Sequence, residues 1–290
     1  MGTNAPATNQ GNQVSKKTAL ITGAGGGLGH ATVERLVMNG WTVFAADIHE
    51  DLLRSSMHDP DVVPIAMDVT DRESIRSAFE TVTARTDRLD GIVNFAGVIG
   101  VGSLTDIPEE RLARILDINV MGTFRVNKKF FPLVEAARGR IVNISSELGW
   151  QSAPPFNGPY AMSKYAIEAY STALRRELAL LGVDVVTVQP GPFRTAMVED
   201  IERSFTQAEG ETKNFARVIG RLKGLAAKQI NSAHDPDILA QVIETALTVK
   251  HPKPVYSVKP DRLRSSLERL PGRTLDRLYG TILRRANKEP

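Results

Sequence analysis

The feature that most constrains this chain is a recurrence of short apolar runs separated by longer amphipathic ones. Thr18–Thr22, Trp41–Ala46, Val62–Ala66, Gly91–Asn94, Arg140–Ile144 and Val183–Val188 are each four to six residues long and rich in Val, Ile, Ala or Leu. Helical spacing of apolar residues marks 27–40 and the stretches near 71–86, 108–136, 158–181 and 236–249. Strands that are apolar along their whole length are buried on both faces, as in a parallel sheet covered by helices. Regular alternation of strand and helix leads to the same architecture. The expected fold is α/β: a doubly wound, mostly parallel sheet of about seven strands with helices on both faces. Pro254–Val258 supplies the last strand.

With no internal repeat and no Pro/Gly/Ser-rich linker, the sequence predicts one domain over 17–259. Residues 1–16 form a polar tail without an apolar signal-peptide core and are expected to be disordered. Residues 193–230 are polar and partly helical. Residues 260–290 carry Leu263, Leu267, Leu270, Leu275, Leu278, Ile282 and Leu283 among many arginines, and Pro271-Gly272 divides them into two short helices. A basic amphipathic tail of this kind either makes peripheral contact with a membrane surface or a partner, or packs on its own body or a sister subunit.

Composition narrows the function. The chain has no cysteine, which excludes disulfides, thiolate catalysis and Cys-based metal sites and fits a cytoplasmic protein. The five histidines (His30, His49, His58, His234, His251) show no ligand spacing, so no metal is expected. The net charge of +3 is not a nucleic-acid signature, and no apolar run reaches the ~18 residues of a membrane span.

Directly after the first strand comes Thr22-Gly-Ala-Gly-Gly-Gly-Leu-Gly29, which opens a helix. Gly23, Gly25, Gly27, Leu28 and Gly29 let the backbone turn tightly and approach a pyrophosphate, while the helix N-terminus offers free N–H groups. The strand before and helix after make this a Rossmann-like dinucleotide site. Asp47 ends the second strand, where a carboxylate accepts hydrogen bonds from ribose hydroxyls and repels a 2′-phosphate. NAD is therefore expected over NADP. Asp68 and Val69 stand where they can bind adenine, or else Asp68 caps the helix that follows.

Tyr160 and Lys164 lie four apart on one face of a helix, where an ammonium can stabilise a phenolate. Ser145 and Ser146 follow the Arg140–Ile144 strand, and strand C-termini face the ligand crevice of such sheets.

In these residues the sequence resembles the short-chain dehydrogenase/reductase family, in its single-domain form, from about Lys17 to Lys259. The resemblance is carried by TGAGGGLG (22–29), Asp68, NFAG (94–97), Asn119, Ser146, YAMSK (160–164) and PGPFRT (190–195). It implies a nicotinamide-dependent oxidoreductase that interconverts an alcohol and a ketone or aldehyde. Tyr160 would be the general acid/base. Lys164 would lower its pKa and bind the nicotinamide ribose, Ser146 would hold the substrate oxygen, and Asn119 would hold a water leading from Lys164 to solvent. Thr195, after Pro190 and Gly191, would contact the carboxamide, while Asn94, Ala96 and Gly97 would shape the sheet and leave room for the cofactor. Phe95 departs from the usual NNAG, and Ser145 is the alternative to Ser146.

Val98, Ile99, Leu148, Trp150, Pro154, Phe156 and Phe193 adjoin these motifs and suggest a lipophilic substrate. The PGPFRT segment and extended C-terminus resemble those of members acting on steroids, retinoids and other lipophilic alcohols. The resemblance also implies a homodimer or homotetramer packed through the helices near 108–136 and 158–181. Competing expectations are a catalytically idle nucleotide sensor or scaffold on the same fold, and a membrane or nucleic-acid binder acting through the basic tail.

Overall fold

The computed structural model describes residues 16–195, 197–230 and 233–288. In chain order the first half runs β1 (Thr18–Thr22), α1 (Gly27–Met38), β2 (Thr42–Asp47), α2 (Glu50–Ser56), β3 (Val62–Ala66), α3 (Arg72–Thr83), β4 (Gly91–Asn94), α4 (Glu109–Leu116) and α5 (Thr123–Ala137). The second half runs β5 (Arg140–Ile144), α6 (Gly158–Leu178), β6 (Asp184–Pro190), α7 (Met197–Glu211), α8 (Ala216–Ile230), α9 (Pro236–Thr248), β7 (Val255–Val258), α10 (Arg262–Leu267) and α11 (Gly272–Lys288).

The seven strands form one sheet in the order β3-β2-β1-β4-β5-β6-β7, and every neighbouring pair is parallel. Chain direction across the sheet reverses between β1 and β4, which opens a crevice at their C-terminal ends. Successive residues of the central strands feed opposite cores, as strand geometry requires. Ile21, Val142 and Val186 face α1 and α9, meeting Val33, Leu36, Leu239 and Ile243. Leu20, Ile141 and Val185 face the other way, meeting Ile75, Val82, Phe130 and Leu178. Asp71 caps α3 by accepting the N–H of Glu73, and Asp235 caps α9 with Pro236 in its first turn.

Four features differ from the sequence expectation or sharpen it. The sheet is parallel throughout, not mostly. Helix α2 was not anticipated; it is one short segment that buries only Leu53, so it leaves no periodic stripe. The stretch near 108–136 is interrupted by a π-helical turn at Asp117–Gly122. Residues 193–230 build two helices, whose Phe205, Ala208 and Ile219 form a third small core with Val101.

The expected tail over 1–16 lies outside the described residues except for Lys16. The C-terminal segment breaks between α10 and α11 at the expected place and packs on its own chain. Helix α11 rests on α8, where the Arg221 guanidinium donates to the carbonyl of Ala286 at 2.8 Å. Among the described residues no helix is long and apolar enough to cross a membrane.

Candidate active site

A cavity of about 1770 Å³ opens at the β1/β4 crevice and runs beneath α10 and α11. One end is built from backbone. Gly23 has φ +66°, and a Cβ there would stand 2.7 Å from the amide nitrogen of Ala96, so no side chain fits where β1 approaches β4. Helix α1 begins with no side-chain cap and no acidic residue in its first turn, so its N–H groups face the cavity without a partner of opposite charge. Gly27 lets Thr195 close over the loop: a Cβ would lie 2.8 Å from Thr195 Cγ2. This glycine cradle and uncapped helix start fit a dinucleotide pyrophosphate.

Of the residues expected at the cofactor, Gly23, Gly27, Leu28, Gly29, Asp47, Asp68 and Val69 line the cavity. Ala96, Gly97, Tyr160, Lys164, Pro190, Gly191 and Thr195 line it as well. Gly25 and Asn94 do not. The Gly25 N–H instead donates to Asp47 Oδ2 at 3.0 Å, which ties the loop to the end of β2. Asp47 Oδ1 accepts the His49 N–H at 3.0 Å. Each oxygen keeps lone-pair capacity for a hydroxyl. Asn94 is buried in the sheet and donates to Asn127 and Asn143, so it shapes the fold from below. Asp68 does not cap α3, a role taken by Asp71. Its Oδ1 accepts from the N–H and hydroxyl of Thr70 at 2.8 and 2.7 Å, turning the chain toward the cavity.

The other end carries titratable groups. Ser146 follows β5; its Oγ accepts the Leu148 N–H at 3.2 Å, and its hydroxyl stands near enough to the Tyr160 phenol to act on it. Ser145 turns the other way, its hydroxyl donating to the carbonyl of Lys164 at 3.4 Å. Lys164 Nζ lies 5.5 Å from the Tyr160 ring centroid and donates to the Ile144 carbonyl at 3.0 Å. The Tyr160 side chain keeps some surface on the cleft, but protein crowds the phenol. Burial pushes its pKa up to about 12, the Ser146 hydroxyl opposes this, and the nearby Glu147 carboxylate adds to it. Burial likewise pushes Lys164 down to about 8, against the pull of Glu168 one turn along α6. Desolvation is the largest influence on both groups.

Asn119 sits in the π-helical turn and is 1% exposed. Its Oδ1 accepts from Val98 N–H at 2.7 Å; its Nδ2 donates to the Val98 carbonyl and to Ser163 Oγ, both at 2.9 Å. With both amide protons used inside the protein, the side chain braces the segment beside Gly97 and does not reach into the cavity.

Of the expected substrate-facing residues, Val98, Ile99, Leu148, Pro154 and Phe193 line the cavity. Trp150 and Phe156 do not. Trp150 points to solvent at 37% exposure, and Phe156 packs on Phe215, ring centroids 5.4 Å apart. Sequence reasoning missed Glu147, a buried carboxylate beside Ser146, and the wall formed by Leu263, Arg264, Leu267, Tyr279, Ile282 and Leu283. The leucine spacing of the tail was visible, but nothing in it said where the tail would dock.

Fold, crevice and the Ser146–Tyr160–Lys164 arrangement define a dinucleotide-dependent α/β enzyme. Residues 17–205 match the family described as short chain dehydrogenase, and the chain belongs to that family. It is an oxidoreductase that moves a hydride between a nicotinamide cofactor and an alcohol/carbonyl pair. It is 35% identical over 257 residues to retinol dehydrogenase 7 of Mus musculus, spanning 83% of this chain and 80% of that one. It is 34% identical over 256 residues to 17-beta-hydroxysteroid dehydrogenase type 6 of Homo sapiens, again spanning 83% and 80%. Among solved structures, a short-chain dehydrogenase from Streptomyces avermitilis matches with a TM-score of 0.73 at 26% identity, covering 93% of this chain and 96% of that one. The idle-scaffold alternative finds no support in these relatives.

Proposed function

We propose that this chain interconverts lipophilic alcohols and their ketones or aldehydes with NAD as the preferred cofactor. The observation that carries the reading is the meeting, in one cavity, of the glycine cradle, the Ser146–Tyr160–Lys164 group and a largely aliphatic wall. Pockets of this kind select by shape with a few polar anchors. Relatives named for retinol and for 17-beta-hydroxysteroids support the lipophilic class.

The nicotinamide, when bound, supplies or accepts the hydride. The chain's own groups do the rest. Backbone N–H groups at the start of α1 hold the pyrophosphate, and Asp47 takes the adenosine ribose. Asp68 and Val69 border the adenine, and Thr195 the carboxamide. Ser146 donates to the substrate oxygen and orients it toward Tyr160, whose hydroxyl gives a proton to that oxygen in reduction and whose phenolate takes one in oxidation. Lys164 holds positive charge near the phenol and binds the second ribose. Asn119 acts from behind by fixing the segment beside Gly97; a water link from Lys164 to solvent would use its main-chain carbonyl.

The same reading includes a homo-oligomer. Phe124 on α5 and Met162 and Tyr165 on α6 are 38%, 45% and 44% exposed, an apolar surface on the two helices that the family resemblance assigns to subunit packing. A cytoplasmic location rests on the cysteine-free sequence alone. The test is a panel of lipophilic alcohols offered with NAD and with NADP and followed by reduced-nicotinamide absorbance. Turnover of several members with NAD supports the reading, whereas turnover of none overturns it. Light scattering at micromolar concentration tests the oligomer.

A further inference from the structure

The turn that follows Ser146 is joined to α10 by polar contacts between residues more than a hundred positions apart. Glu147 is 7% exposed. Its Oε2 accepts the N–H of Asp261 at 2.7 Å, and its Oε1 lies 3.5 Å from Nη1 of Arg264. Gln151 donates to Ser265 Oγ at 3.0 Å. Ser152 donates from both its N–H and its hydroxyl to the two carboxylate oxygens of Glu268, each at 2.9 Å. A carboxylate as enclosed as Glu147 is costly unless paired, so these contacts fix one placement of α10 and disfavour others. None of them takes part in proton or hydride transfer.

That placement has a consequence for the cavity. Leu263 and Leu267 of α10, with Ile282 and Leu283 of α11, form its aliphatic wall on the side away from the glycine cradle. The clamp begins at the residue after Ser146, so the wall and the group that orients the substrate oxygen are held by one turn. A small alcohol bound at Ser146 has little apolar surface to offer the wall. A large one has more, and each further buried methylene is worth about fourfold in binding.

We propose that α10 is the selectivity wall of the substrate site, clamped against the Ser146 turn by the positioning residues Glu147 and Glu268, and that the site therefore favours bulky, ring-sized apolar alcohols over small ones. This rests on the oxidoreductase reading above and names the size class its substrate takes.

The experiment compares cyclohexanol with cyclododecanol in the full-length protein with NAD. Affinity is read by isothermal titration calorimetry, and turnover from reduced nicotinamide. Three proteins are used: the parent, a clamp variant (Ser152→Ala with Glu268→Gln), and Leu267→Trp, which leaves the clamp and fills the wall. Amide hydrogen exchange over 261–268 reports the clamp directly. The parent should bind cyclododecanol at least tenfold more tightly than cyclohexanol. The clamp variant should exchange at least tenfold faster over 261–268 and lose at least fivefold of that preference. Leu267→Trp should lose a similar share with exchange like the parent's. A parent without the preference, or variants in which both alcohols weaken in parallel, overturns the proposal. Absence of turnover with an intact affinity preference would overturn the reaction assigned above and leave the wall standing.

Discussion

The ammonium of Lys164 donates to the main-chain carbonyl of Ile144 at 3.0 Å, which anchors the helix that carries Tyr160 to the end of β5. The contact is made in a buried setting that pushes the Lys164 pKa down from 10.5 to about 8. Between those two values the unfolded chain binds more protons than the folded one, so stability rises with pH across that window. Below about pH 8 the folded state bears the whole cost of a buried ammonium.

Lys164→Met should therefore be more stable than the parent near neutral pH, by at most on the order of 3 kcal/mol, because the orphaned Ile144 carbonyl offsets part of the gain. The advantage should shrink as pH rises through the window just given. Urea unfolding of the cofactor-free proteins at neutral pH and near pH 10 measures it. A gap that does not change with pH would show that Lys164 is not the group responsible. NAD affinity should fall in the same variant through the lost ribose contact.

Cofactor choice turns on Asp47. Its carboxylate is held by the N–H groups of Gly25 and His49, so it cannot swing away from a 2′-phosphate without breaking both contacts. Repulsion between two such charges a few ångströms apart is on the order of 1 kcal/mol in water and larger in a partly dry site. Asp47→Ala should narrow the preference for NAD by about tenfold or reverse it, as read from kcat/KM with each cofactor. Equal discrimination before and after would remove Asp47 from the ribose site. The variant also frees the Gly25 N–H, so some loss of NAD affinity should accompany the change.

The adjacent serines offer a sharper test, since they differ by one position and point to opposite sides. The Ser146 hydroxyl stands near the Tyr160 phenol, whereas the Ser145 hydroxyl donates to the Lys164 carbonyl. Ser146→Ala should lower turnover by about tenfold or more while leaving NAD affinity near normal, on the scale of a lost hydrogen bond at a reacting oxygen. Ser145→Ala should be milder in turnover and show its effect in thermal stability. The reverse ranking would reassign the substrate contact.

Legibility followed the physics of each element. Strands β1, β4 and β5 carry their ends in the sequence, because a strand buried on both faces needs an uninterrupted apolar run and stops where that run stops. The glycine loop, Ser146, Tyr160 and Lys164 stood out by residue type and spacing, and the structure brings them to one cavity. The π-helical turn at Asn119 was not readable: a shift from i+4 to i+5 bonding leaves no mark in residue type. The side chain of Asn119 in that turn braces Val98 and Ser163. Glu147, Arg264 and Glu268 escaped notice because ordinary charged residues become site residues only when distant segments meet. Trp150 and Phe156 misled for the opposite reason, since being next to a motif in sequence does not fix the direction of a side chain.

The last prediction concerns the proton. Burial holds the Tyr160 phenol at about 12 in the cofactor-free protein, so at neutral pH its resting form is protonated. The folded value lies above the ordinary phenol value of 10.0, so the folded chain keeps this proton where the unfolded chain has lost it. Its stabilising contribution is present at lower pH and fades as pH rises through about 12. Tyr160→Phe removes the hydroxyl and keeps nearly all the ring volume. The fold and NAD affinity should survive, and the alkaline loss of stability assigned to this group should be absent. Turnover in either direction should fall by about 10²-fold or more, the scale of general acid–base catalysis. Three measurements suffice: kcat on a substrate from the alcohol panel, NAD titration, and unfolding near neutral and alkaline pH. A phenylalanine variant with near-normal kcat would overturn the proton-transfer role of Tyr160 and shift attention to water held near Ser146, even with the fold and family unchanged.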